Sequence, residues 1–147
     1  MINFSHLEST VMRDEGFEPR PYLDTVGVPT IGFGTTRIHG EPVTMDNPAM
    51  TVQTARELLR SDLYRSLIDA QALFSRFNEM NGVRQAVLAN MAYNLGRSRL
   101  AGFVKLIRAG ENLSYPRMAD EMEASKWHNQ VGYRAKRLVR EMRDGVV

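Results

Sequence analysis

The chain has 147 residues, of which 43% are apolar and 24% charged, so it can fill a core and does not resemble a disordered chain. It has no cysteine, which excludes disulfides and thiolate metal sites, and His6, His39 and His128 lack the spacing of a zinc cluster. No run approaches the roughly 18 apolar residues of a membrane span, and the first residues do not resemble a signal peptide. We expect one domain without metal or cofactor that stays in the cytoplasm where it is made.

The net charge of +2 is unevenly distributed. Residues 1–62 hold 5 basic and 9 acidic groups, whereas residues 63–147 hold 14 basic and 8 acidic groups. A basic second half suits an anionic partner such as a cell-wall polymer, lipid headgroups or nucleic acid. Ordinary solvated helix faces would give the same count, so the charge alone does not choose a partner.

The first predicted element is a helix that ends at Gly16. Apolar residues recur at helical spacing over residues 4–12, and Ser5 with Glu8 matches the S-x-x-E capping box. From Arg20 to about Thr44, β-formers alternate with glycine and proline, which predicts a small antiparallel sheet. Residues 42–49 form a connector.

A long amphipathic helix is predicted next, capped by Thr51 and running to about Phe74. At 1.5 Å per residue it would be roughly 35 Å long. Four further helices are predicted from periodicity and from glycine or proline at their ends, at about 82–95, 100–109 (stopped by Gly110), 115–125 and 133–143.

These elements predict an α+β fold within a single domain, residues 1–147. A β-containing N-lobe would span about 13–50, and a helical C-lobe would combine about 1–12 with 75–147. The helix at about 51–74 would bridge the lobes, with a cleft between them.

Four carboxylates, Asp14, Glu15, Glu18 and Asp24, are close together in the sequence. Glu15 lies at the end of the first helix, where the helix dipole disfavours a negative charge, whereas Asp24 lies in a polar turn. Two carboxyl groups in contrasting environments are what glycoside hydrolysis requires. A solvated acidic surface is the competing interpretation, because sequence gives no distance between them.

The motifs that surround these carboxylates resemble the phage lysozymes of glycoside hydrolase family 24, of the T-even phage type. The spacing of Glu15, Asp24 and Thr30 is that of the family's Glu, Asp and Thr. The resemblance covers most of the chain, because it continues in segments at 14–34, 90–103, 125–130 and 134–137. It implies a lysozyme-like two-lobed fold and lysozyme activity.

The resemblance also implies a role for each matching residue. Glu15 would protonate the glycosidic oxygen, Asp24 would activate water or stabilise the positive sugar, and Thr30 would hold that water. Arg134 occupies the position of an arginine that pairs with the catalytic Glu, although an exposed basic helix residue is the competing interpretation.

Four further positions would bind substrate: Gly34 and Thr36 on the sheet side of the cleft, and Tyr93 and Asn94 on the other side. An aromatic face with amide and backbone hydrogen-bonding groups suits a sugar. For Tyr93, core packing is the alternative. Trp127 is expected to anchor the helical lobe rather than to contact sugar.

The leading hypothesis is a monomeric endolysin that cleaves the β-1,4 bond between N-acetylmuramic acid and N-acetylglucosamine in peptidoglycan. It would wait in the host cytoplasm until a holin-like partner opens the membrane. A lytic transglycosylase and a virion-mounted lysozyme are the alternatives. A non-catalytic wall binder predicts a lost triad, and no nucleic-acid-binding motif is found.

Overall fold

The computed structural model describes all 147 residues and contains eight α-helices, a single 3-10 turn and four short strands. This confirms the α+β class. The chain divides into two compact units, which we call the sheet unit (Ser5–Tyr64) and the helical unit (Met1–Phe4 with Arg65–Val147). None of the helices combines the length and apolarity needed to cross a membrane.

The sheet unit contains two antiparallel strand pairs, which is the small sheet structure that the sequence predicted. Strand β1 (Glu18–Leu23) pairs with β2 (Pro29–Gly32), with Tyr22 opposite Thr30 and an irregularity between Glu18 and Tyr22. Strand β3 (Arg37–Ile38) pairs with β4 (Glu41–Pro42). The buried apolar residues of this unit include Ile31, Phe33 and Leu59. Its elements are α1 (Phe4–Glu15), β1 (Glu18–Leu23), β2 (Pro29–Gly32), β3 (Arg37–Ile38), β4 (Glu41–Pro42) and the first part of α2 (Val52–Leu73).

Helix α2 confirms the predicted long helix within one residue at each end. Its start is capped as expected, because the Thr54 N–H donates to the Thr51 hydroxyl oxygen at 3.1 Å. The division between the two units falls inside this helix, after Tyr64.

The capping box predicted for α1 is wrong. Helix α1 begins at Phe4, so Ser5 lies within it. The Glu8 carboxylate, whose side chain is 6% exposed, instead accepts hydrogen bonds from Arg60 at 2.8 and 3.2 Å and from Arg56 at 3.2 Å. The local pattern could not reveal this, because the arginines lie 48 and 52 residues further along the chain.

The helical unit is built around α6 and α8. Helix α6 packs against α5 and α8, while α3 and α7 also pack against α8. Their contacts enclose a core that includes Phe74, Met91, Met118, Trp127 and Leu138. The elements are the 3-10 turn (Phe77–Glu79), α3 (Gly82–Leu95), α4 (Arg97–Ala101), α5 (Val104–Glu111), α6 (Tyr115–Glu123), α7 (Lys126–Val131) and α8 (Tyr133–Asp144).

Two helix predictions in this unit need correction. The single helix predicted at 100–109 is two helices, α4 and α5, separated by Gly102 and Phe103. Gly110 does not end α5 but lies inside it, where a Cβ would come within 2.9 Å of the Phe74 ring. The glycine is therefore explained by close packing rather than by helix termination.

Helix α7 was missed by the periodicity, because its 6 residues are too few to show a pattern. It has a recognisable start, since the Ser125 hydroxyl oxygen accepts a hydrogen bond from the His128 N–H at 3.3 Å. The unit boundaries also differ from the expected lobes: residues from Ser5 onward group with the strands, not with the helical unit.

Candidate active site

The carboxyl group of Glu15 lies directly against the backbone of Gly34. Glu15 is the last residue of α1 and is partly buried. A Cβ added at Gly34 would lie 2.7 Å from Glu15 Oε2 and 2.9 Å from its carboxyl carbon. Gly34 also has a φ of +79°, a conformation that favours glycine. The structure thus brings together two of the predicted site residues, and glycine is required where they meet.

Asp24 organises the turn between β1 and β2. Its Oδ1 accepts hydrogen bonds from the N–H groups of Val26 at 3.0 Å and Val28 at 2.8 Å. Its own N–H donates to the Val28 carbonyl at 3.0 Å, and its carbonyl accepts from the Gly27 N–H at 3.0 Å. Both side-chain bonds use Oδ1, so the carboxyl group is held in a fixed orientation while Oδ2 takes part in neither bond.

Thr30 is tied to the same turn. Its hydroxyl donates to the Val28 carbonyl at 2.9 Å, and the residue is 4% exposed. Because the hydroxyl hydrogen is committed to this bond, the remaining lone pairs of Oγ1 can only accept. A water bound to Thr30 through Oγ1 would therefore donate to it.

Tyr22 belongs to this carboxylate cluster, although no motif in the sequence assigns it a role. Burial raises the pKa of the Tyr22 hydroxyl, and the negative charges of Glu15, Glu18 and Asp24 raise it further. The tyrosine therefore lies within the electrostatic field of both candidate catalytic carboxylates. Its position near the end of β1, two residues before Asp24, is the signal that could have identified it.

In the helical unit, Arg134 is anchored by a buried amide. Its Nε and Nη2 donate to the Asn90 Oδ1 at 3.0 and 2.8 Å, and Asn90 is 1% exposed. These bonds join α8 to α3 and make Arg134 more than a solvated helix residue. Asn90 is a second residue to which no motif in the sequence assigns a role, because only the packing of α3 on α8 reveals the pair.

Trp127 is 3% exposed and anchors the helical unit, as expected. Its indole N–H donates to the Asn94 Oδ1 at 2.9 Å, so this amide oxygen of a predicted substrate-binding residue is engaged inside the protein. Tyr93, the neighbouring residue, is partly buried. A groove of about 630 Å³ lies in this unit between the start of α5 and α7, and Trp127 lines it while Tyr93 and Asn94 do not.

Thr36, the remaining predicted substrate-binding residue, is exposed and follows the turn at Gly34. Its carbonyl accepts a hydrogen bond from the Val43 N–H at 2.9 Å, which fixes its backbone. No group of three or more histidine and carboxylate side chains in the chain is arranged to hold a metal ion.

Comparison with known proteins identifies the family. Residues 12–144 match the family model described as phage lysozyme. The chain is 25% identical to probable T4-type lysozyme 1 of Dictyostelium discoideum, in an alignment covering 97% of this chain and 96% of that protein. It is 33% identical to the endolysin of Salmonella phage P22, covering 61% and 60% of the two chains. It is also 28% identical to the pre-baseplate central spike protein Gp5 of Enterobacteria phage T4, covering 86% of this chain and 25% of Gp5. Because the family model matches almost the whole sequence, this chain belongs to the phage lysozyme family, which confirms the resemblance seen in its motifs.

Proposed function

We propose that this family member, a peptidoglycan hydrolase, is a muramidase that cleaves the β-1,4 bond between N-acetylmuramic acid and N-acetylglucosamine. The observation that carries the proposal is the shared β1–β2 turn, in which Asp24 and Thr30 bond to the same residue, Val28. Glu15 lies in the same unit, and its negative charge and that of Asp24 both act on the Tyr22 hydroxyl.

The chemistry would use these three residues in turn. Glu15 in its acid form donates its proton to the glycosidic oxygen as the bond to the sugar carbon breaks. The Asp24 carboxylate stabilises the positive charge that develops on the sugar, or takes a proton from the attacking water. Thr30 accepts a hydrogen bond from that water, which orients a lone pair of the water away from the threonine.

We keep Arg134 as a catalytic support residue, because its anchoring on buried Asn90 gives a fixed position to a permanent positive charge. Gly34, Thr36, Tyr93 and Asn94 remain proposed substrate-binding residues.

Substitution of each carboxylate tests the assignment. We expect Glu15→Gln and Asp24→Asn each to lose lytic activity by about a hundred- to ten-thousandfold, because general acid–base catalysis contributes on that order. Glu18→Gln is the matched control, since Glu18 belongs to the same cluster but has no proposed step. Wild-type lysis by purified Glu15→Gln enzyme with an unchanged fold would refute the proposal.

Product analysis separates hydrolysis from transglycosylation. Mass spectrometry of digested peptidoglycan is expected to show reducing N-acetylmuramic acid ends that carry one added water. Anhydro-sugar ends would instead indicate a lytic transglycosylase. Asp24 and Thr30 favour hydrolysis, because an attacking water is the species that both would engage.

We propose that the biological role is lysis of a bacterial host, with the enzyme held in the cytoplasm until a holin-like partner permeabilises the membrane. The match to an endolysin supports this role. Expression alone should then leave cells intact, and co-expression with a holin should lyse them. The match to Gp5, a central spike protein, supports a virion-mounted enzyme as the second candidate, and detection of the chain in purified virions would decide for it.

A further inference from the structure

The turn that carries Asp24 exposes three apolar side chains, which we call the apolar turn: Leu23, Val26 and Val28. Their exposed fractions are 57%, 80% and 40%. Turns of this kind usually favour polar residues and glycine. Such side chains add nothing to the core, so their place in the turn calls for another explanation.

The apolar turn is held rigidly by the hydrogen bonds that also fix the candidate catalytic residues. Asp24 Oδ1 binds the N–H groups of Val26 and Val28, and Thr30 binds the Val28 carbonyl. A ligand that contacts these side chains therefore meets a surface that is already ordered, which lowers the entropic cost of binding. Asp24, a proposed catalytic residue, lies in the same turn.

The charge around this turn disfavours an anionic ligand. Burial raises the pKa of the Tyr22 hydroxyl, and the carboxylates of Glu15, Glu18 and Asp24 add to that rise, so three negative charges lie near the start of this turn. An anionic lipid surface or a phosphate polymer would be repelled by the same charges. A neutral group with an apolar end is the chemistry that fits.

We propose that the apolar turn contacts the acetamido methyl groups of the glycan strand and makes the enzyme selective for N-acetylated sugars. This inference rests on the proposed function and deepens it. The acetamido group is neutral, projects from the sugar ring and ends in a methyl group that gains from burial against valine. Leu23, Val26 and Val28 are specificity residues, and they take no part in proton transfer.

The test uses two substrates made from one peptide-free glycan oligomer of alternating N-acetylglucosamine and N-acetylmuramic acid, whose acetyl groups are removed and replaced by acetyl groups in one substrate and by glycolyl groups in the other. The glycolyl group adds only a hydroxyl, which an apolar surface cannot hydrogen-bond. We expect wild-type kcat/KM, and affinity measured by titration calorimetry, to favour the acetylated oligomer by about tenfold.

The Val26→Thr/Val28→Thr double variant is expected to reduce this preference to about twofold or less, by raising KM for the acetylated oligomer with kcat unchanged. Threonine has nearly the shape of valine, so the turn should keep its hydrogen bonds. Val52→Thr is the matched control, because Val52 is 49% exposed on α2 and remote in sequence from the turn. It should keep the tenfold preference.

Several results would overturn the inference. These are a wild-type preference near one, a preference that survives in the double variant, or an equal loss of kcat on both oligomers. A loss that appears only on peptide-bearing glycan would assign the turn to the stem peptide, and turn-dependent binding to phosphatidylcholine vesicles would assign it to a membrane. Failure of the proposed function is recognised separately, because the wild type would then bind acetylated oligomers without cleaving them, and the calorimetric preference would still be measurable.

Discussion

At the scale of single residues, the position of the Glu15 carboxyl depends on the absence of a side chain at Gly34. We predict that Gly34→Ala lowers lytic activity at least tenfold, because its Cβ would lie 2.7 Å from Glu15 Oε2 and displace the carboxyl group. The positive φ adds a stability loss of about 1–2 kcal/mol. Wall-lysis assays and urea unfolding measure the two effects.

The Gly40→Ala variant separates the effect of backbone strain from the effect of a steric clash with Glu15. Gly40 has a similar φ of +82°, but a Cβ there would meet nothing within 4 Å. We expect it to lose a similar amount of stability and to keep nearly full activity. If both variants lose activity equally, the contact between Gly34 and Glu15 does not position the carboxyl group.

At the same scale, motif spacing identifies some residues of the candidate site and misses others. Glu15, Asp24 and Thr30 could be nominated from the sequence because the resemblance compares residues at fixed separations. The same motif segments contain Tyr22 and Asn90, but the spacing assigns neither residue a role. Their importance rests on an electrostatic field and on a side-chain bond to Arg134, neither of which has a spacing in sequence.

At the scale of elements, Glu8 joins α1 to α2. Hydrogen bonds from Arg60 are the main reason why the pKa of Glu8 lies below its ordinary value of 4.5, and bonds from Arg56 act in the same direction. A lowered folded-state pKa gives stability that is present above the unfolded pKa and is lost as the pH falls through the folded pKa.

We therefore predict that Glu8→Gln destabilises the protein by about 1–2 kcal/mol at pH 7, a range reduced because both arginines are about half exposed. The difference from wild type should shrink as the pH falls below 4.5. Glu57→Gln on α2 is the control, with an exposed carboxyl. Urea unfolding at pH 7 and pH 3 measures both, and a pH-independent difference would contradict the proposed ion-pair origin.

A second contact between elements caps the C-terminal end of α8. Arg84 on α3 donates to the carbonyls of Met142 at 2.7 Å and Arg143 at 3.0 Å, and its guanidinium lies 3.7 Å from the centre of the Tyr115 ring. The last carbonyls of a helix have no partner within the helix, so a cation there stabilises it.

We predict that Arg84→Ala lowers the free energy of unfolding by about 1–3 kcal/mol, because two charge-assisted hydrogen bonds and the ring contact are lost together. Arg108→Ala on α5, an exposed arginine, should change it by less than about 0.5 kcal/mol. Thermal and urea unfolding provide the measurement. Equal stability of the two variants would show that the end of α8 does not depend on Arg84.

At the scale of the whole molecule, the charge asymmetry of the sequence predicts attraction to an anionic cell wall. On α8, Lys136 and Arg140 are exposed, whereas Arg143 donates to Asp120 at 2.8 Å and is partly neutralised. Attraction between exposed charges is screened over roughly 10 Å at 0.1 M salt.

We predict that activity on whole walls falls steeply between about 50 and 500 mM salt, while cleavage of neutral soluble glycan oligomers changes little. The Lys136→Gln/Arg140→Gln double variant should show a flatter salt dependence on walls and unchanged kinetics on the oligomers. An unaltered salt profile in this variant would identify the two residues as ordinary solvated side chains.

The sequence by itself determined the α+β class, the long helix α2 and the family, because these depend on periodicity, on end signals and on residues at fixed separations. It failed where a residue's partner is distant in the chain. Glu8 matched a local capping pattern but pairs with α2, and Gly110 resembled a helix stop but packs against Phe74. The tertiary structure alone decided the approach of Glu15 to Gly34, the anchoring of Arg134 on Asn90 and the hydrogen-bonded turn that exposes Val26. These contacts depend on distances in space, which the separation of residues along the chain does not determine.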